Sequence, residues 1–194
     1  LGGDSVANRG DKRALGMTAI GIATHTPVPA RSGAQAGDAL FVTGTLGDAL
    51  AGFEFAEAGL DGPKPLMAAY YRPVAQLGKG EALAPFAHAM MDVSDGLLID
   101  AERMASASKL ALEIDLAAIP LSDAYTQTRS NSLDSRMQAA SWGDDYQLLF
   151  AAPADIALPV PATRVGRFFD GSGIRLIDAD TPVPLPSSLG YEHR

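Results

Sequence analysis

The residues best suited to chemistry lie in the segment DVSDG at 92–96, which follows the apolar run 88–91. The run predicts a buried strand with Asp92 at its carboxyl end, and the residues after the turn predict a helix. Ser94 would cap that helix, and Asp95 would lie in its first turn, where unpaired N–H groups favour an anion. Two carboxylates beside backbone donors could hold Mg²⁺ and nucleotide phosphates. The alternative is an ordinary helix start, since serine and aspartate are common caps.

Three other segments carry residues of a similar kind. In GGDS at 2–5 the glycines would let the backbone approach an anion, and Asp4 could bind a metal or simply occupy a turn. Arg31 lies on a glycine-containing loop, where it could bind a phosphate through two hydrogen bonds or be solvated. The aspartates at 144–145 could contact a cationic or hydroxylated substrate, or cap a turn with Tyr146 in the core. No pair of histidines has ligand spacing, and no Walker-type loop is present.

Composition limits the classes of function. Of the 194 residues, 47% are apolar and 20% are charged, which is the balance of a globular protein. The net charge of −8 argues against a surface that binds nucleic acid, because such surfaces are basic. The absence of cysteine excludes disulfides and thiolate metal sites and fits a cytoplasmic location. No apolar stretch approaches the roughly twenty residues of a membrane span, so we expect no membrane partner.

Strands and helices that would position these segments follow one another in mixed order. The sequence predicts strands at 15–24, 39–43, 88–91, 110–114 and 146–151, and helices over 48–58, 65–71, 97–107 and 135–140. The turn DGSG at 170–173, between 164–168 and 174–177, predicts a terminal hairpin. This order is typical of an α+β fold in which helices cover a mixed sheet.

The segment TPVP at 26–29 is the best candidate for a linker, since two prolines enforce an extended backbone. The first residues look like the end of a strand whose beginning lies elsewhere, so we expect the C-terminal part of a longer protein. We predict that residues 1–28 end one domain and that residues 29–194 form a second.

Over nearly its whole length the chain resembles the thiamine-monophosphate kinase family, which is related to aminoimidazole ribonucleotide (AIR) synthetase and selenophosphate synthetase. The resemblance rests on the ordered segments GGDS, RSGAQAGDALFVTGTLGDALAG, YYRP, MMDVSDGLLID, GDDYQLLF, RVGRF and LGYEH. The combination of DVSDGLL with GDDYQLLF favours the kinase over its relatives. The resemblance implies an AIR-synthetase-like C-terminal sandwich at 29–194, preceded by remnant strands of an N-terminal domain that binds ATP and magnesium.

The resemblance also implies a role for individual residues. Magnesium would be bound by Asp4, Asp92 and Asp95. ATP would be contacted by Gly3, Asp4, Arg31 and Ser94. The thiamine substrate would be contacted by Asp144 and Tyr191, and no residue acts as a catalytic acid or base.

Three features depart from the family pattern. Asp144 stands where the family usually has glutamate, so a shorter side chain must make that contact. The segment 153–161 is short and proline-rich where relatives tend to carry a helix. The family's N-terminal acidic magnesium motif would precede residue 1.

The expected reaction is the ATP-dependent phosphorylation of thiamine monophosphate to thiamine diphosphate. The acceptor is a phosphate monoester with a second pKa near 6, so it is largely deprotonated at pH 7 and needs no strong base. We therefore expect direct in-line transfer assisted by Mg²⁺, by a homodimeric full-length protein, with the fragment inactive alone. The alternatives are a related synthetase that phosphorylates an amide or selenide, and a non-catalytic module for nucleotide binding or dimerisation.

Overall fold

The computed structural model describes residues 2–4, 16–18 and 20–192, and the side chains of residues 18 and 20–192. Strands β1 (Gly2–Asp4) and β2 (Gly16–Thr18) pair antiparallel as a two-stranded sheet. The predicted strand over 15–24 is therefore confirmed only at 16–18, since residues 20–24 have no regular secondary structure.

The main sheet has seven strands in the order β4-β6-β3-β7-β5-β8-β9. Every neighbouring pair is antiparallel except β5 and β8, which are parallel, so the sheet is mixed as predicted. The strands are β3 (Asp38–Val42), β4 (Ala89–Asp92), β5 (Ala111–Asp115), β6 (Leu148–Pro153), β7 (Thr163–Phe169), β8 (Gly173–Asp178) and β9 (Thr181–Val183).

Six α-helices connect these strands in the part of the chain that the structure describes. They are α1 (Asp48–Glu57), α2 (Lys64–Tyr71), α3 (Leu77–Leu83), α4 (Leu97–Ser108), α5 (Asp123–Arg129) and α6 (Leu133–Ser141). The four predicted helices are confirmed as α1, α2, α4 and α6. Helices α3 and α5 were not predicted, because α3 contains two glycines and α5 is mostly polar.

The predicted hairpin between β7 and β8 is wrong. Strand β5 lies between them, and its first residue, Ala111, is paired with both Phe169 and Gly173. The turn at 170–172 therefore passes over the end of β5. The apolar residues of β5 explain this arrangement, because Leu112 and Ile114 are fully buried in the centre of the sheet.

Helices cover the sheet, as predicted, and the larger cluster of buried apolar residues lies on one of its faces. There α4 and α6 bury a large apolar core that includes Leu98, Met104, Leu112, Leu149 and Val165. A smaller cluster lies on the opposite face, where the stacked rings of Phe41 and Phe150 pack beneath α3 and the loop after β6. None of the helices described is long and apolar enough to cross a membrane.

Candidate functional site

A cavity of about 600 Å³ lies where three distant segments of the chain meet. These segments are the turn after β4, the loop after α6 and the C-terminal residues 188–191. Four residues that the sequence predicts for the site line this cavity, namely Ser94, Asp95, Asp144 and Tyr191. The structure therefore brings together part of the predicted site from positions nearly one hundred residues apart.

Two glycines allow these segments to approach closely. A Cβ atom at Gly143 would lie 2.3 Å from the carbonyl oxygen of Ser94, and one at Gly190 would lie 2.5 Å from that of Asp95. The backbone N–H groups of Asp144 and Tyr191 donate to the same two carbonyl oxygens, at 3.0 and 2.9 Å. The turn after β4 is thus clamped between the other two segments by backbone hydrogen bonds.

The predicted cap of α4 by Ser94 is wrong. The helix begins at Leu97 after Gly96, so Ser94 does not cap it and Asp95 precedes its first turn. Instead, Oδ2 of the fully buried Asp100 accepts the N–H groups of Ser94 and Asp95, both at 3.0 Å. Asp100, in the first turn of α4, therefore satisfies backbone donors of the turn that precedes the helix.

Arg103 joins Asp100 to Asp95. Its Nη1 donates to Oδ1 of Asp100 at 2.8 Å and to Oδ2 of Asp95 at 2.5 Å. Burial raises the pKa of Asp100, and its two backbone hydrogen bonds and Arg103 oppose that shift. Sequence reasoning missed both residues. The available signal was an acid within the apolar stretch LLIDA, where a charge must be paired or hydrogen-bonded if it is buried.

Asp92 is exposed and ends β4, as predicted, but it lines a second cavity of about 460 Å³. This cavity lies beside α3 and includes Leu77, Gly80 and Glu81. Tyr146 lines both cavities, so it forms a wall that they share. The interpretation of Tyr146 as a core residue is wrong, because it precedes β6 and is 37% exposed.

The described side chains contain no group of three or more His, Cys, Asp or Glu residues that could hold a metal ion. Asp92 and Asp95 nevertheless carry the oxygen ligands that Mg²⁺ prefers, and protein sites often supply one or two carboxylates while phosphates and waters complete the shell. The donor set therefore fits a partial magnesium site. The predicted contributions of Gly3 and Asp4 fall outside the described side chains.

Arg31 is exposed and lines neither cavity. Its loop runs beside β4, where the carbonyl oxygen of Ala30 accepts the N–H of Met90 at 2.9 Å. The structure thus places Arg31 at the edge of the sheet next to the strand that ends at Asp92.

Asp145 anchors the loop after α6 to the start of α1. Its carboxylate accepts the N–H groups of Gly47 at 2.9 Å and Ala49 at 3.5 Å. Burial raises the pKa of Asp145 to about 8, although these two hydrogen bonds oppose the shift. One interpretation of the sequence was that these two aspartates cap a turn, and Asp145 does accept backbone N–H groups at the start of α1. Its neighbour Asp144 is exposed and lines the larger cavity.

The lining of the larger cavity combines aromatic rings with carboxylates. Trp142, Tyr146 and Tyr191 supply the rings, and the Trp142 ring stacks on Phe53 with centroids 5.2 Å apart. Asp95 and Asp144 supply the negative charge. Such a lining suits a ligand with a flat, positively charged ring, which aromatic faces and carboxylates both attract.

Comparison with known proteins gives a consistent result. The family model described as "AIR synthase related protein, C-terminal domain" matches residues 35–178. Over the whole chain, the thiamine-monophosphate kinases of Caulobacter vibrioides and Escherichia coli K12 are 32% and 35% identical. The chain spans 58% and 62% of the length of these two relatives.

Solved structures show the same similarity. A thiamine-monophosphate kinase from Stenotrophomonas maltophilia K279a is 34% identical with a TM-score of 0.68, covering 76% of this chain and 52% of that chain. AaThiL complexed with AMPPCP and TMP is 32% identical with a TM-score of 0.72, covering 84% and 54%. Escherichia coli HypE, at 19% identity and a TM-score of 0.62, covers 83% and 53% and shares the fold alone.

Proposed function

The chain belongs to the AIR synthase related family, and we propose that it is the C-terminal part of a cytoplasmic thiamine-monophosphate kinase. The complete enzyme would transfer a phosphoryl group from ATP to thiamine monophosphate, giving thiamine diphosphate and ADP. The observation that carries this proposal is the convergence of Ser94, Asp95, Asp144 and Tyr191 on one cavity. A relative in complex with AMPPCP and TMP supports the choice of both substrates.

The proposed division of the chain follows the same reasoning. Residues 1–28 would be the end of an N-terminal domain that binds ATP and magnesium, and residues 29–194 would be the C-terminal domain. The separate sheet formed by β1 and β2 supports this division, because it is not part of the seven-stranded sheet. We propose that the complete enzyme is a homodimer and that residues 1–194 alone lack activity.

Thiamine monophosphate would occupy the larger cavity. The aromatic side chain of Tyr191 would pack against the thiamine ring system, and the carboxylate of Asp144 would contact its positive charge or a hydrogen-bond donor. The side chain of Asp144 is one methylene shorter than the family's usual glutamate. We therefore expect this contact to be made either through a water molecule or by a substrate that lies deeper in the cavity.

ATP would approach the other side of the turn after β4. Asp92 and Asp95, together with Asp4, would hold Mg²⁺, which when bound neutralises phosphate charge. The side chain of Ser94 would donate to ATP, and Arg31, from its loop beside β4, would contact a phosphate, as would the backbone of Gly3 and Asp4. Arg103 engages one carboxylate oxygen of Asp95, so this bond would fix the orientation in which Asp95 meets its ligand.

These positions support direct transfer without a covalent enzyme intermediate. The acceptor phosphate has a second pKa near 6, so it is already a nucleophile at neutral pH and no residue needs to remove a proton. What the protein must supply is alignment of two polyanions and relief of their repulsion. The residues around Asp92 and Asp95 would orient ATP while Asp144 and Tyr191 orient the acceptor.

The direct test is an assay of the complete enzyme, with its N-terminal region present, using ATP, Mg²⁺ and thiamine monophosphate. We expect thiamine diphosphate and ADP to form in equal amounts, measured by chromatography. Thiamine monophosphate should also quench the fluorescence of Trp142, the single tryptophan of residues 1–194, because Trp142 lines the larger cavity. If ADP is released only with an amide or selenide substrate, the chain is a related synthetase instead.

A further inference from the structure

Tyr146 is a residue at the site to which neither the family resemblance nor the sequence assigned a function. It lines both cavities and separates the one that contains Asp92 from the one that contains Asp144. Its ring therefore stands between the positions proposed for ATP and for thiamine monophosphate. A residue at this place could influence how either substrate is held.

The backbone holds Tyr146 in an unusual conformation. The backbone φ angle is +49° at Tyr146 and +65° at Asp144. Both angles lie in the left-handed region, which a tyrosine rarely adopts. Between them, Asp145 turns inward to accept the N–H of Gly47, while the N–H of Tyr146 donates to the carbonyl oxygen of Val93 at 2.9 Å. Because Asp145 is held inward by this hydrogen bond, the side chains of its two neighbours, Asp144 and Tyr146, project outward and line the larger cavity.

The two outward side chains are joined by a hydrogen bond. The hydroxyl of Tyr146 donates to Oδ1 of Asp144 at 3.0 Å. Burial and the negative charge of Asp144 raise the pKa of Tyr146, so the phenol keeps its proton at neutral pH and remains a donor. This hydrogen bond to Oδ1 fixes the orientation of the Asp144 carboxylate, and Oδ2 can still accept a hydrogen bond or contact a positive charge of a ligand in the cavity.

We propose that Tyr146 is a positioning residue for thiamine monophosphate, acting through its hydrogen bond to Asp144. This inference rests on the proposed function and extends it to a residue with no assigned role. An aspartate side chain has two rotatable bonds, and an exposed one samples several rotamers. The Tyr146 hydroxyl would select one of these before the substrate arrives, which lowers the entropic cost of binding.

The test is Tyr146→Phe in the complete enzyme, because this substitution removes the hydroxyl and keeps the ring between the cavities. We expect KM for thiamine monophosphate to rise about fivefold to tenfold, because the side chain of Asp144 would then have to be immobilised during binding, at a cost of about 1–1.4 kcal/mol. The value of kcat and KM for ATP should change less than about twofold. Tyr71→Phe is the matched control, since Tyr71 is 62% exposed and lines neither cavity.

A double-mutant cycle separates positioning from a general structural effect. Once Asp144→Ala has removed the acceptor, adding Tyr146→Phe should change KM for thiamine monophosphate by less than about twofold. The inference is overturned if Tyr146→Phe leaves this KM unchanged, if it has its full effect without Asp144, or if it lowers kcat and thermal stability instead. A wild-type enzyme that does not phosphorylate thiamine monophosphate refutes the proposed function, and this inference with it.

Discussion

Replacing Asp145 by asparagine should change how the stability of the chain depends on pH. In the folded chain, burial raises the pKa of Asp145 to about 8, whereas its ordinary value is 3.8. The folded state therefore holds a proton that the unfolded state releases. The stabilisation from this proton is complete below pH 3.8 and is lost as the pH rises through about 8.

The size of the effect follows from this difference. Each pH unit between the two pKa values removes about 1.4 kcal/mol from the free energy of unfolding, up to about 6 kcal/mol in total. Part of Asp145 remains exposed, and access of water would shorten this pH window while leaving the slope within it unchanged. Asparagine resembles the protonated carboxyl in size and can still accept the N–H of Gly47, but it does not titrate.

Urea unfolding of residues 1–194 at pH 5, 6, 7 and 8 measures how the free energy of unfolding changes with pH in the wild type and in Asp145→Asn. At pH 5, which is already above the ordinary value of 3.8, we expect Asp145→Asn to be more stable than the wild type by about 1.6 kcal/mol. This difference should grow by about 1.4 kcal/mol for each further pH unit inside the window. Asp155→Asn is the control, because Asp155 is exposed and is neither Asp48 nor Asp144, the two carboxylates whose charge raises the pKa of Asp145. Parallel curves for the wild type and Asp145→Asn would refute the reasoning.

Three further substitutions test the site. In the complete enzyme, Asp92→Asn should lower kcat about a hundredfold or more, because it removes a proposed Mg²⁺ ligand. The free energy of unfolding should change by less than about 0.5 kcal/mol, because Asp92 is exposed. Near-normal turnover would show that Asp92 is not part of the site. Gly143→Ala should destabilise the fold by about 2 kcal/mol or more in urea titrations, because its Cβ would lie 2.3 Å from the carbonyl oxygen of Ser94; wild-type stability would contradict the close approach. Arg103→Ala should cost about 2–4 kcal/mol in the same titrations, because the buried Asp100 loses its cationic partner; an unchanged midpoint would show that the backbone donors suffice.

Much of the fold could be predicted from local pattern. Strands β3 and β4 were predicted from short apolar runs, and helix α1 was predicted from apolar residues that share one helical face. The local pattern gave a wrong prediction where an element is stabilised by residues far away in the sequence. The turn at 170–172 has the composition of a hairpin, yet the burial of β5 between β7 and β8 determines which strands pair.

The sequence by itself determined which chemistry is available: carboxylates at 92, 95 and 144, a serine between the first two, and a C-terminal aromatic residue. It also determined the family, because the motifs occur in order. Only the tertiary structure placed Asp95, Asp144 and Tyr191 around one cavity, and only it revealed Asp100 beneath the turn and Tyr146 between the cavities. The physical reason is that a side chain's type fixes the bonds it can make, whereas its partners depend on how the whole chain buries its apolar surface.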